Sequence, residues 1–117
     1  MSPKALNTIR EALAVPLVVS VDLVRHEMIR CGSCKGVVEN DLVDVLFRDM
    51  DAAVALNRSL EGRLLPQLWR QGSVSCVLCK PVDDVLVGLF TDKGLDAIQM
   101  YWWSKEAEQV VRQALLI

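Results

Sequence analysis

Apolar positions change their period several times along this chain, and each change marks a predicted element. Leu6, Ile9 and Leu13 recur at helical spacing, Ser2 can cap the turn before them, and Pro3 stands where a first-turn proline is tolerated. Pro16 requires this first helix to end before it. Leu17 to Val21 is a β-branched run, Asp22 to His26 is more polar, and Glu27 to Cys31 resumes alternation through Met28. That order predicts a hairpin, although no Asn-Gly or Asp-Gly pair marks its turn.

The segment "NDLVDVLFRDMDAAVALNRSLEG" carries the clearest helical pattern. Asn40 or Asp41 can cap it, acids enrich its first turn, and Gly62 suits the position just past its end. Leu42, Leu46, Met50, Ala53, Leu56 and Leu60 form one stripe, which Val43, Phe47 and Val54 widen. The spacing predicts one continuous helix from Asp41 to Leu60, roughly 30 Å long. Its apolar face is wider than packing on one sheet requires. Val43, Phe47, Met50 and Val54 are therefore the candidate interface residues, a patch that a twofold copy would bury.

Strand patterns follow. Leu64 to Arg70 is a poor strand that Pro66 confines to an edge, and Gln71-Gly72 is a plausible turn. Val74 to Lys80 and Val85 to Thr91 are better strands, with "PVDD" between them. Val85 to Phe90 is nearly all apolar, as expected of a central strand covered on both faces. From Leu95 to Ile117 the chain reads as a long helix with Trp103, Ala107, Val110, Ala114 and Ile117 on one face. The alternative is a strand over Leu95 to Trp103, with Ser104 capping a shorter helix. The order is helix, two strands, long helix, three strands, helix. It predicts a single domain over residues 1–117 of the layered α/β (α+β) class, a five-stranded antiparallel sheet with helices packed on it.

Composition narrows the class. Hydrophobic residues make up 52% and charged residues 24%, enough apolar surface for a packed core and too much for a disordered chain. A net charge of −2 lacks the basic excess that nucleic-acid binding usually brings. The longest apolar stretch, Ala12 to Val24, is broken by Pro16 and Asp22, so no transmembrane segment is expected. Four cysteines without a secretory signal pattern fit a reducing, cytoplasmic setting.

The cysteines fall in two pairs, "CGSCKG" and "CVLCK". Cys31, Cys34, Cys76 and Cys79 together would have the spacing of a four-thiolate zinc site. Gly32 and Gly36 allow the tight turn a zinc knuckle needs. Val77 and Leu78 instead favour an extended chain, on which Cys76 and Cys79 point to opposite faces, roughly 10 Å apart. The leading expectation is therefore no metal and no cofactor, with zinc on the four thiols as the alternative. A thiol-redox role for Cys31 and Cys34 is a further alternative, although no helix begins at the first thiol to lower its pKa.

No other constellation points to catalysis. His26 stands alone in a predicted turn, and there is no Walker or G-x-G-x-x-G phosphate loop. Asp41, Asp44, Asp49 and Asp51 read as a charged helix face, and Asp83-Asp84 as an ordinary turn. "YWW", residues 101–103, is the most unusual apolar group. Successive helical residues are ~100° apart, so at least one ring must be partly exposed or face a partner.

The stretches "RHEMIRCG", "NDLVDVLFRDMDAAVAL", "QGSVSCVLCKPVDDVLVGLF" and "EAEQVVRQAL", taken in order, resemble the roadblock/dynein light chain family, in particular Ragulator-type roadblock subunits. The resemblance covers nearly the whole chain and implies a roadblock/longin-like fold without catalytic residues. It implies a homodimer, or a heterodimer with another roadblock-like chain, paired through the second helix and an edge strand into one continuous sheet. It also implies a partner: a small Ras-like GTPase, a scaffold protein or a motor complex.

Overall fold

The computed structural model describes residues 1–32 and 41–115. Five strands form one antiparallel sheet: β1 (Leu17–Asp22), β2 (Glu27–Gly32), β3 (Gln67–Gln71), β4 (Val74–Val82) and β5 (Val85–Thr91), in the order β2-β1-β5-β4-β3. Four helices accompany them: α1 (Pro3–Leu13), α2 (Asp41–Phe47), α3 (Met50–Ser59) and α4 (Ala97–Ala114). β5, the nearly all-apolar strand, is central, and β2 and β3 are the edges.

Strand alternation divides the core in two. Leu17, Val19 and Val21 of β1, Cys76 and Leu78 of β4, and Leu86 and Phe90 of β5 pack against α2 and α3. Val18, Val77, Cys79, Val87 and Leu89 pack on the other face against α1 and α4. The sheet is therefore sandwiched between two helical layers, which is why its three inner strands are apolar on both faces.

Local sequence explains most of the element ends. The Ser2 hydroxyl accepts the Ala5 N–H at 3.1 Å, and α1 stops at Ala14, which is left-handed with φ 52°. The first hairpin turns without Asn-Gly because the Asp22 carboxylate accepts the N–H groups of Val24 and Arg25, both at 3.0 Å. The Arg25 N–H is the main reason that carboxyl sits below its usual range. α4 is a single helix, so the strand alternative over its first turns fails. Asp96 and Gln99 close a reciprocal capping box at its start, and Ser104 lies inside the helix, donating to the Tyr101 carbonyl at 2.6 Å. Its buried face runs through Met100, Ser104, Ala107, Val111 and Ala114. Trp103 and Val110, expected at the centre of that face, flank it half-buried.

The continuous helix expected over 41–60 is a correction. It is broken after Phe47, and Asp49 adopts extended backbone (φ −154°, ψ −178°). The Asp49 carboxylate accepts the Ala52 N–H at 2.8 Å and so caps a new helix, while Arg30 donates to the Phe47 carbonyl at 2.7 Å and closes the old one. Both ends made at the break thus have hydrogen-bond partners, and the break lets α2 and α3 turn separate apolar faces onto the sheet.

Candidate interaction surface

Of the predicted site residues, the cysteines are the simplest to place. Cys76 lies on the α2/α3 face of β4, in contact with the core there, and Cys79 lies on the α1/α4 face. One ion cannot bind both, so the four-thiolate zinc arrangement is corrected: an odd spacing on a strand separates the side chains. Burial is the main cause that raises both thiols, Cys76 well above its usual value and Cys79 to about 12, with Glu108 adding to the second. Both are therefore neutral thiols at pH 7, poor ligands and poor nucleophiles. Cys31 is the last residue but one of β2 and half-buried, its sulfur 3.8 Å from the Asn7 side-chain oxygen. Cys34 lies outside the described residues. Among the described residues no group of three or more His, Cys, Asp or Glu could hold a metal.

Gly32 has φ +90°, the left-handed freedom expected of it, but uses it for close approach. A Cβ there would meet the Pro16 carbonyl oxygen at 2.0 Å. The glycine lets the end of β2 pass the start of β1. His26 is exposed in the hairpin turn with φ 55°.

Two of the four expected interface residues lie elsewhere than expected. Val43 is 1% and Phe47 0% exposed, both within this chain's own core. The Phe47 ring makes an edge contact with Phe90, centroids 6.0 Å apart, and lies over Gly88, where a Cβ would meet it at 2.7 Å. Met50 and Val54 are half-buried. The break at Arg48-Asp49 places Val43 and Phe47 on α2 and Met50 and Val54 on α3, so the four do not share one helix.

The exposed apolar surface lies elsewhere. On the outer side of α4, Ile98 is 71%, Tyr101 51% and Trp102 66% exposed. Tyr101 and Trp102 meet edge-to-face at 5.3 Å, and the Lys105 ammonium lies 5.3 Å from the centre of the Tyr101 ring. Beside them runs β3, an edge strand whose outer rim of backbone groups has no strand partner in the sheet. Leu68 pairs with Val77 in register and so shares the α4 side of the sheet, where it is 43% exposed. A groove of about 230 Å³ separates it from α4, lined by Leu68, Trp69, Arg70, Ala97 and Met100. Arg70 spans its end, donating to the Leu95 carbonyl and to the Ser75 hydroxyl. The Trp69 ring packs towards the opposite face, its indole Nε1 buried without a partner among the described residues.

The other edge is different. β2 carries exposed Glu27 and Arg30, charges of the kind that keep edge strands from pairing. The sequence signals for the β3–α4 surface were only "YWW" and the edge assignment given by Pro66. Their adjacency is a product of the tertiary fold.

No protein-family model matches the sequence, and no curated protein matches it. Similarity is found among solved structures. The chain resembles the gliding protein MglB of Thermus thermophilus, with a TM-score of 0.60, 10% identity, and 97% of this chain and 91% of that one covered. It resembles Myxococcus xanthus MglB, with a TM-score of 0.56, 12% identity and coverage of 97% and 93%. It also resembles a Roadblock/LC7 domain from Streptomyces avermitilis, with a TM-score of 0.53, 13% identity and coverage of 93% and 96%. The fold is the roadblock fold, an α+β layering about a five-stranded antiparallel sheet.

Proposed function

We propose that this chain is a non-enzymatic interaction module of the roadblock type, a dimer that scaffolds or regulates a small Ras-like GTPase or a motor complex in the cytoplasm. The observation that carries this reading is the β3 edge: a short, nearly uncharged strand open along one side, with an apolar groove beside it. Two such edges pair antiparallel about a twofold axis and satisfy each other's backbone groups, extending the sheet from one copy into the next. The resemblance supplies the GTPase or scaffold partner. No described helix is long and apolar enough to cross a membrane.

The module works without a resident metal in this reading. Purified protein should carry well under one zinc per chain, and a chelator should leave its melting temperature unchanged.

Native mass spectrometry at micromolar concentration tests the self-association, with twice the chain mass expected. A monomer throughout would overturn it, and a mixed mass with a second roadblock-like chain would replace the homodimer with a heterodimer. Titration of Ras-like GTPases in their GTP and GDP states tests the partner. Binding that depends on the nucleotide is expected, and no binding in either state would remove the GTPase from the reading.

A further inference from the structure

We propose that the pocket between the end of β4 and the last turns of α4 binds a small zwitterion, an α-amino acid with a short apolar side chain. The inference goes beyond the interaction role proposed above and does not depend on the self-association.

The pocket exists because the sheet narrows there. β3 accompanies β4 only as far as Leu78, which pairs with Gln67. Beyond that point β4 runs on through Cys79 and Lys80, and its pairing with β5 is irregular between Cys79 and Val82. α4 packs over this stretch, and the chain leading into β3 closes the side with Leu65 and Pro66. The space left is about 130 Å³. Cys79 and Val111, both buried, form its floor, and Arg112, the exposed member of its lining, stands at its mouth.

Charge selects the class of ligand. Glu108 and Arg112 line the pocket one helical turn apart, and the Arg112 guanidinium donates to Glu108 Oε1 at 3.1 Å. Lys80 also lines it, but its ammonium is drawn to the other side of the sheet, where it donates to the Asn57 side-chain oxygen on α3 at 3.1 Å. Burial is the main cause that raises the Cys79 thiol, and of the two charges Glu108 adds to it while Arg112 opposes it, so both lie close to the floor. Two cations would suit an anion, whereas one cation beside one anion suits a ligand that carries both charges. The Glu108–Arg112 bond engages one carboxylate oxygen and one guanidinium nitrogen. The other oxygen and the remaining N–H groups have no partner among the described residues. A ligand ammonium against Glu108 and a ligand carboxylate against Arg112 complete a ring of four alternating charges.

Volume limits the size. A cavity of about 150 Å³ takes benzene, a ligand of about six non-hydrogen atoms, and alanine has as many. Its methyl group would meet Val111, Pro66 and the neutral Cys79 thiol, which behaves as a small apolar group. The ion pair is partly open to water, so the expected Kd is on the order of 1 mM.

Amide NMR of the nitrogen-labelled protein, titrated with L-alanine, tests the site. Saturable shifts are expected at Cys79, Lys80 and Val111. Propionate lacks the ammonium and ethylamine lacks the carboxylate, and each should bind at least ~threefold more weakly than L-alanine. Glu108→Gln and Arg112→Gln should each weaken L-alanine by a similar factor, with thermal melts to check that both variants fold. The two analogues test the charge requirement on the wild type, whatever the variants do. No saturable shift with L-alanine overturns the site, as do shifts confined to other parts of the chain. Propionate or ethylamine binding as tightly as L-alanine overturns the zwitterion, and so does a folded Glu108→Gln or Arg112→Gln variant that binds L-alanine unchanged.

Discussion

The two helical layers of this molecule treat their apolar residues differently. The α2/α3 layer encloses its one ring, Phe47, completely, whereas α4 buries Met100, Ala107, Val111 and Ala114, half-buries Trp103 and leaves Tyr101 and Trp102 exposed. The contrast follows from backbone shape. α2 and α3 are two short helices whose break lets each aim a face inward, and α4 is one continuous helix with a single inward face. A width of apolar pattern is thus ambiguous: it signals an outward patch on a continuous helix and a core on a broken one.

The largest expected effect lies in the enclosed layer. Phe47→Ala should destabilise the chain by about 3–5 kcal/mol, measured by chemical denaturation, because it removes the ring contact with Phe90 and leaves a cavity over Gly88. A loss under about 1 kcal/mol would return Phe47 to the surface and dissolve the contrast between the layers.

The break itself is the second target. Asp49→Ala removes the carboxylate that accepts the Ala52 N–H and should cost about 1 kcal/mol. If the variant were instead stabilised, the continuous helix read from the sequence would be the better description of residues 41–60. The smallest effect belongs to the outer rings. Trp102→Ala should change the stability of the chain by no more than about 0.5 kcal/mol, since the side chain is 66% exposed and meets the equally outward Tyr101 ring. A large loss there would show that α4 supports the core through its outer face as well.

Much of the fold was legible in the sequence. Ser2 and Pro3 mark the start of α1, the runs at 17–21, 74–80 and 85–91 became β1, β4 and β5, and the nearly all-apolar residues 85–90 pointed to the central place of β5. These signals are local, so local reading suffices. The break at Arg48-Asp49 was not legible, because an aspartate at a cap and one on a helix face look alike until the Arg30 side chain arrives from β2 to close Phe47. The separation of Cys76 from Cys79 was readable from strand parity alone. The surface beside β3 was half-visible: "YWW" announced excess rings, but nothing in the sequence of α4 names Leu68 as sharing a groove with Ala97 and Met100.

Gly88 and Phe47 together form one object made from two distant parts of the chain. The hollow over the central strand exists because residue 88 has no side chain, and the ring occupies it to within 2.7 Å of where a Cβ would stand. Neither residue is free to vary alone: alanine at 88 strikes the ring, and a small residue at 47 leaves the hollow empty. A shorter side chain at 47 would relieve the clash with its ring, leaving a methyl group at 88 to press only on the Phe90 ring, at 3.2 Å. In the descent of such a chain the two positions would be inherited as a couple, each recording what the other has become.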